Sequence, residues 1–335
     1  MSGRRVAVVT GASAGVGRAV AAELAARGFD VGLVARGEAG LAAAAKDVEA
    51  AGGHGLPLPT DVSRYDEVKR AATAAERELG PIDVWVNDAM TTIFAPVWDV
   101  EPDDFARAIE VTFLGQVWGT KVALEVMMPR DSGTVVNVGS ALAFVGIPLQ
   151  SAYCSAKFAC RGFFESTRAE LIHQKSNVRL SMVHLPGVNT TQFNWCKSVF
   201  STHPQPVPPI YQPEVAARAI ADVALDGRRS KVLGSWNRML VAMASVFPSL
   251  ANQYAAIGAW ESQLTDMPVP RDRPANLREP LDTDEDKGAH GIFDDKAQGV
   301  RSPSFLKSLP STVRKFGVAS ARTLHEKAEA RSQRA

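Results

Sequence analysis

Short Val-rich segments alternate with longer helix-forming segments over residues 5–235, and this alternation constrains the fold more than any other feature of the chain. The short segments, such as RVAVVT, IDVWVN and GTVVNVGS, are continuous apolar runs, which are typical of parallel strands covered by helices on both faces. The longest predicted helices span 103–128, opened by Pro102, and 151–175. The pattern predicts an α/β fold with a doubly wound parallel sheet of about seven strands flanked by helices.

The alternation ends near residue 235 and divides the chain into three parts. Residues 1–235 are predicted to form the α/β domain, and residues 236–265 a helical extension. Residues 266–335 are rich in Pro and Asp and then become basic. Such a composition buries little apolar surface, so we expect this tail to be extended or disordered.

Composition and charge argue against several classes of function. A net charge of +1 gives no field that would favour nucleic acid or an anionic membrane. The longest apolar stretch is interrupted by Pro248, so we expect no membrane span. The N-terminal apolar run is too short for a signal peptide. Three cysteines without a CxxC pair suggest reduced thiols and a cytoplasmic protein, and the scattered histidines suggest no metal site.

A glycine-rich loop follows the first predicted strand. The segment TGASAGVG contains Gly11, Ser13, Gly15 and Gly17 and leads into the first predicted helix. Glycines permit a sharp turn and close approach of the backbone to a diphosphate, and the helix N-terminus offers free N–H groups. The strand–loop–helix context therefore predicts a dinucleotide site, and residues 1–235 become a dinucleotide-binding catalytic domain in a Rossmann-like fold.

The end of the second strand bears on which dinucleotide binds. The segment LVARGE places Ala35 and Arg36 where an acid usually binds the ribose 2′-hydroxyl of NAD. The planar guanidinium of Arg36 can instead bind a 2′-phosphate, which favours NADP(H) as the cofactor. The alternative is that Arg36 is an arginine of a solvated loop.

Tyr153 and Lys157 lie four residues apart in SAYCSAK, and on a helix they share one face. A phenol has a pKa of ~10. A cation about 5 Å away stabilises the phenolate by roughly 3 kcal/mol at an effective dielectric of about 20, which lowers the pKa by about two units. Tyr153 is therefore predicted to be a general acid or base. Ser140, at the end of the fifth predicted strand, is predicted to hold the substrate oxygen.

With these motifs, residues 4–235 resemble the compact, single-domain short-chain dehydrogenases/reductases. The resemblance implies that Asp61 contacts the adenine and Asn87 the adenosine side of the cofactor. It also implies that Lys157 binds the nicotinamide ribose and that Thr190 holds the carboxamide.

Two positions depart from the family pattern. Asn-Asp-Ala-Met stands at 87–90, where the family usually has Asn-Asn-Ala-Gly, so that Met90 adds bulk near the cofactor. Thr112 stands at the fourth catalytic position, where the family usually has Asn. We expect Thr112 to slow proton exchange without abolishing activity.

The resulting prediction is an NADP(H)-dependent oxidoreductase that acts on a carbonyl or alcohol. Aromatic residues after the sixth strand (Phe193, Trp195, Phe200 and Tyr211), with Phe144, Val145 and Ile147, favour an apolar substrate, although these aromatics could equally pack on the extension. The alternative is a non-catalytic NADP(H)-binding sensor that acts through the C-terminal extension. The resemblance also implies a homodimer or homotetramer formed through the two longest helices.

Overall fold

A computed structural model describes residues 3–299 of the protein, and its centre is a parallel sheet. The seven strands are β1 (Arg5–Thr10), β2 (Phe29–Ala35), β3 (Gly55–Pro59), β4 (Ile82–Asn87), β5 (Thr134–Ser140), β6 (Arg179–Leu185) and β7 (Ser230–Val232). Their order across the sheet is β7-β6-β5-β4-β1-β2-β3, and all neighbours are parallel. The order reverses between β1 and β4, which opens a crevice at the carboxyl ends of these strands.

Helices cover both faces of the sheet. They are α1 (Gly15–Ala26), α2 (Glu38–Ala50), α3 (Tyr65–Glu78), α4 (Pro102–Ile109), α5 (Gly115–Met127), α6 (Ser151–His173), α7 (Pro213–Asp226), α8 (Ser235–Val246) and α9 (Pro248–Gly258). On β1, Ala7 and Val9 join the core under α1, α2 and α7, whereas Val6 and Val8 join the core under α3, α5 and α6. Because successive side chains point to opposite faces, a strand buried on both faces reads as a continuous apolar run. The predicted doubly wound sheet with flanking helices is confirmed.

The prediction of one uninterrupted helix after Pro102 is wrong. A π-helical turn at Glu110–Leu114 separates α4 from α5. At the middle of this turn, Thr112 is fully buried, and its hydroxyl binds the backbone of Thr91. A π-helical turn contains one residue more than an α-helical turn, and here it coincides with a contact between Thr112 and Thr91, 21 residues earlier. Helical periodicity in the sequence does not reveal such a contact.

The residues after β7 pack onto the domain. Helices α8 and α9 occupy much of the predicted extension at 236–265. The strand Leu264–Pro268 then pairs antiparallel with Thr202–Pro204. Residues 276–298, which we call the C-terminal strap, run over the domain mainly as turns and bends, and Gln298 N–H donates to the carbonyl of Ile210. The rest of the predicted tail, residues 300–335, lies outside the described residues.

None of the helices among residues 3–299 is both long and apolar enough to cross a membrane. Within the same range, no group of three or more His, Cys, Asp or Glu side chains could hold a metal ion.

Candidate active site

One continuous cavity of about 330 Å³ lies at the carboxyl ends of the central strands. It extends from the beginning of α2, past the loop between β1 and α1, to helices α8 and α9. Most of the predicted site residues line it: Gly11, Ser13, Gly15, Arg36, Asp61, Ser140, Tyr153, Lys157 and Thr190. The position agrees with the crevice that the reversal of strand order creates.

The glycine loop brings the backbone to this cavity. Gly11 has a φ of +72°, a left-handed conformation that glycine adopts without strain. A side chain on Gly17 would collide with the carbonyl oxygen of Gly11, so the loop can pack against α1 only with glycine there. A side-chain carbon on Gly15 would lie 3.3 Å from Cβ of Thr190, so Thr190 packs against this part of the loop. The loop and the beginning of α1 together present backbone N–H groups suited to a diphosphate.

Asp61 and Arg36 lie at the far end of the cavity from Tyr153 and Lys157. The carboxylate of Asp61 accepts a hydrogen bond from Arg107 at 2.6 Å and one from the hydroxyl of Ser63 at 2.8 Å. Burial raises the pKa of Asp61, but these bonds more than offset this effect and hold the pKa below its ordinary value. Arg36 donates to the backbone carbonyls of Asn276 and Arg278 in the C-terminal strap.

Ser140, Tyr153 and Lys157 meet at the middle of the cavity. Lys157 Nζ donates to the carbonyl of Val138 at 2.8 Å and lies 5.6 Å from the ring centre of Tyr153. The Oγ of Ser140 accepts from the N–H of Leu142 at 3.1 Å, and its hydroxyl also lies within hydrogen-bonding reach of the Tyr153 phenol. The arrangement therefore places a proton donor, a cation and an oxygen-binding hydroxyl on one wall.

The pKa of Tyr153 responds to two opposing effects. Burial raises the pKa, and this is the largest effect. The charge of Lys157 lowers the pKa, as the sequence predicts, and the hydroxyl of Ser140 lowers it further. Because these two effects together are smaller than the effect of burial, the pKa of Tyr153 lies above its ordinary value. A lower pKa thus requires a further positive charge next to the phenol.

The end of the cavity near α8 and α9 is mainly apolar. Of the predicted aromatic residues, Phe193 and Trp195 line it, while Tyr211 is buried in the domain core beneath it. The extension contributes Trp236, Asn237, Leu240, Ala251, Ala255 and Ala259. Asn237 is buried, and its amide Nδ2 has no hydrogen-bond partner among residues 3–299. The extension is thus part of the wall of the cavity.

Comparison with known proteins agrees with this geometry. The family model described as short chain dehydrogenase matches residues 5–198. The chain belongs to the short-chain dehydrogenase/reductase family. It is 31% identical over 277 residues to Uncharacterized oxidoreductase YxnA of Bacillus subtilis, covering 82% of this chain and 76% of that protein. It is also 31% identical over 244 residues to 3-dehydrosphinganine reductase of Danio rerio, covering 70% and 73% of the two chains.

A family member from Burkholderia phymatum, solved in complex with NAD, has a similar fold. The TM-score is 0.67 at 21% identity, over 74% of this chain and 95% of that one. The family assignment makes this chain an oxidoreductase of a family that uses a nicotinamide cofactor.

Two residues that the family resemblance assigns to the site have side chains turned elsewhere. The amide of Asn87 is buried, accepts from Trp85 Nε1 at 2.8 Å and donates to Asn137 Oδ1 at 2.9 Å. It connects β4 to its neighbour β5 and does not line the cavity. Thr112 does not line the cavity either, because its hydroxyl donates to Thr91 O at 2.9 Å and accepts from Thr91 N at 3.0 Å.

Two residues that the sequence interpretation did not assign to the site lie in or directly behind it. Desolvation raises the pKa of Asp88 to about 7, although Lys157 and a bond from the Gly17 backbone act against the increase. Asp88 stands out in the sequence only as the acid in Asn-Asp-Ala-Met. His184 lies behind Ser140, and burial lowers its pKa to about 4, so its imidazole is neutral at physiological pH. No local pattern marks His184, because it lies on a neighbouring strand.

The three cysteines are free and buried. Burial raises the pKa of Cys154, next to Tyr153, to about 11, so its thiol is protonated and unreactive near neutral pH.

Proposed function

We propose that the protein interconverts a carbonyl and an alcohol with a nicotinamide dinucleotide, with Tyr153 as general acid or base. The observation that supports this most directly is that Ser140, Tyr153 and Lys157 share one cavity with the glycine loop. The bound nicotinamide would supply or accept the hydride.

The roles of the three side chains follow from their contacts. The hydroxyl of Ser140, which lies beside the Tyr153 phenol in the cavity, would donate to the substrate oxygen. Tyr153 would give its proton to that oxygen during reduction and take it back during oxidation. Lys157, held by the carbonyl of Val138, would stabilise the phenolate and bind the nicotinamide ribose.

For the cofactor we propose NADP(H). Arg36 directly follows β2, whose end carries no acid of its own to bind a ribose 2′-hydroxyl, and Ser13 and the N-terminus of α2 are close to it. Together they form a site suited to an anion. Gly11, Gly15 and Gly17 would hold the diphosphate, Asp61 the adenine side and Thr190 the carboxamide.

For the substrate we propose an apolar carbonyl compound with a second oxygen. Phe193, Trp195 and Leu240 supply apolar walls, and Asn237 offers an unused amide donor. Burying that donor without a partner costs free energy, which a substrate oxygen would recover. The zebrafish relative is a 3-dehydrosphinganine reductase, and its name is consistent with an apolar substrate.

The change Tyr153→Phe tests the proposal. We expect turnover with a carbonyl panel to fall by about a hundredfold or more, because the proton donor is lost. Binding of the reduced dinucleotide, followed by its fluorescence, should change little. Tyr65→Phe is the control, because Tyr65 binds Glu125 on the surface.

Turnover that survives Tyr153→Phe would contradict the proposed mechanism. A wild-type protein that binds a dinucleotide but turns over no carbonyl or alcohol would favour the alternative, a non-catalytic NADP(H)-binding sensor acting through the C-terminal extension. The intact set of Ser140, Tyr153 and Lys157 favours the enzyme.

Assembly as a homodimer or homotetramer stays a prediction. The exposed side chains of Phe158 and Ile172 on α6 support an interface along that helix. A cytoplasmic location also stays a prediction.

A further inference from the structure

The C-terminal strap covers the end of the cavity near Arg36. Its carbonyls cap the first turn of α2, since Ala39 N–H donates to Thr283 O at 3.1 Å and Gly40 N–H donates to Asp282 O at 3.0 Å. Further along, Gly15 N–H in the glycine loop donates to Gly288 O at 3.3 Å. The strap is therefore attached to both elements that would hold the adenosine diphosphate part of a dinucleotide.

The side chain of Asp282 points from the strap into this end of the cavity. It is 4% exposed and lines the cavity, and its Oδ2 has no hydrogen-bond partner among residues 3–299. A side-chain carbon on Gly37 would collide with the carboxylate, and one on Gly40 would lie 2.5 Å from Oδ2. The beginning of α2 thus has room for this carboxylate only because both positions are glycine.

The carboxylate occupies a place that suits an anion. The N-terminus of α2 carries a partial positive charge. The guanidinium of Arg36 is also close: burial lowers its pKa, and the negative charge of Asp282 acts against this decrease. Arg36 itself is turned to the strap, where it binds the carbonyls of Asn276 and Arg278. The same helix end and the same arginine are those proposed above for the 2′-phosphate of NADP(H).

We propose that Asp282 is a specificity-determining residue, which lowers the affinity for a 2′-phosphorylated dinucleotide relative to its unphosphorylated counterpart. This inference rests on the proposed function. A ribose 2′-hydroxyl can donate a hydrogen bond to the free Oδ2, whereas a 2′-phosphate brings a like charge to the same place. NADP(H) therefore binds only after Asp282 moves away from the start of α2 and Arg36 releases the carbonyls of Asn276 and Arg278. NAD(H) binds with the strap in place.

The experiment compares Asp282→Asn with wild type in fluorescence titrations of NADPH and NADH on the full chain. Asparagine keeps the shape of the side chain and removes its charge. We expect the ratio of the NADPH Kd to the NADH Kd to fall by about tenfold or more, mainly through tighter binding of NADPH. Asp284→Asn is the matched control, because Asp284 carries the same charge on the same strap but is exposed; its ratio should remain that of wild type.

Each result has one meaning. If Asp282→Asn leaves the ratio unchanged, or if Asp284→Asn lowers it equally, the inference is overturned while the proposed function stands. If neither dinucleotide binds to wild type or to either variant, the proposed function itself fails, and the inference fails with it. A circular dichroism melt of each variant checks that the fold is retained.

Discussion

At the scale of single residues, Asp88 shows how a cavity changes the chemistry of a side chain. Desolvation raises its pKa from the ordinary 3.8 to about 7. The folded protein therefore holds a proton between these pH values that the unfolded chain releases, so stability falls as the pH rises through this range. Above about 7, Asp88 carries a negative charge beside Gly17 and Lys157.

This titration predicts a pH dependence of cofactor binding. The negative charge that Asp88 gains would repel the diphosphate of a dinucleotide at the glycine loop. We therefore expect the NADPH Kd to rise about three- to tenfold as the pH increases from about 6 to about 8. Asp88→Asn should remove most of that rise, and Asp66→Asn, an exposed change on α3, should leave it intact. Titrations across this pH range provide the measurement, and an identical profile for wild type and Asp88→Asn would refute the assignment.

The residues of the site differ in how far the sequence could predict them. Gly11, Ser140, Tyr153 and Lys157 lie together because motif spacing and strand ends determine where their backbones lie. Asn87 also lies at a strand end, but its side chain binds Trp85 and Asn137 instead of facing the cavity. A strand end determines the place of a residue, whereas the direction of its side chain depends on neighbours from other elements.

At the scale of elements, the break between α4 and α5 is the clearest feature that periodicity misses. Apolar spacing along 102–127 is compatible with a continuous α-helix, because one extra residue in a turn shifts the pattern only slightly. The π-helical turn becomes visible only through the contacts of Thr112 with the Thr91 backbone. The role of Thr112 in this structure is therefore to hold the loop that follows Asp88–Ala89–Met90.

Removing the hydroxyl tests this role. Thr112→Val keeps the shape of the side chain but leaves the N–H and carbonyl of Thr91 without that partner, at a fully buried position. We expect the free energy of unfolding to fall by about 1–3 kcal/mol. Urea denaturation provides the measurement. Thr112→Ser retains the hydroxyl and is the control; an equal loss in both variants would attribute the effect to packing instead.

At the scale of the whole molecule, the segments after β7 complete the cavity that the parallel sheet begins. Helices α8 and α9 line the cavity together with Phe193 and Trp195, and the C-terminal strap covers the glycine loop and the beginning of α2. The sequence predicts the sheet because each strand and helix carries its own local pattern. It cannot predict the course of the strap, whose Pro- and Asp-rich segment lacks periodicity and is positioned by contacts with residues far earlier in the chain.

The attachment of the strap leads to a final prediction. Arg18 of α1 is nearly buried and forms ion pairs with Asp47, at 2.7 Å, and with Asp286 of the strap. Asp286→Asn weakens the second pair, so the strap should open more often, and its amides should exchange hydrogen several-fold faster. Bound NAD(H) should slow this exchange, because by the inference above it lies under the strap and stabilises the closed state. Mass spectrometry of residues 276–298 provides the measurement, with Asp284→Asn as the control. Unchanged exchange in Asp286→Asn would show that the backbone bonds to α2 hold the strap without this ion pair.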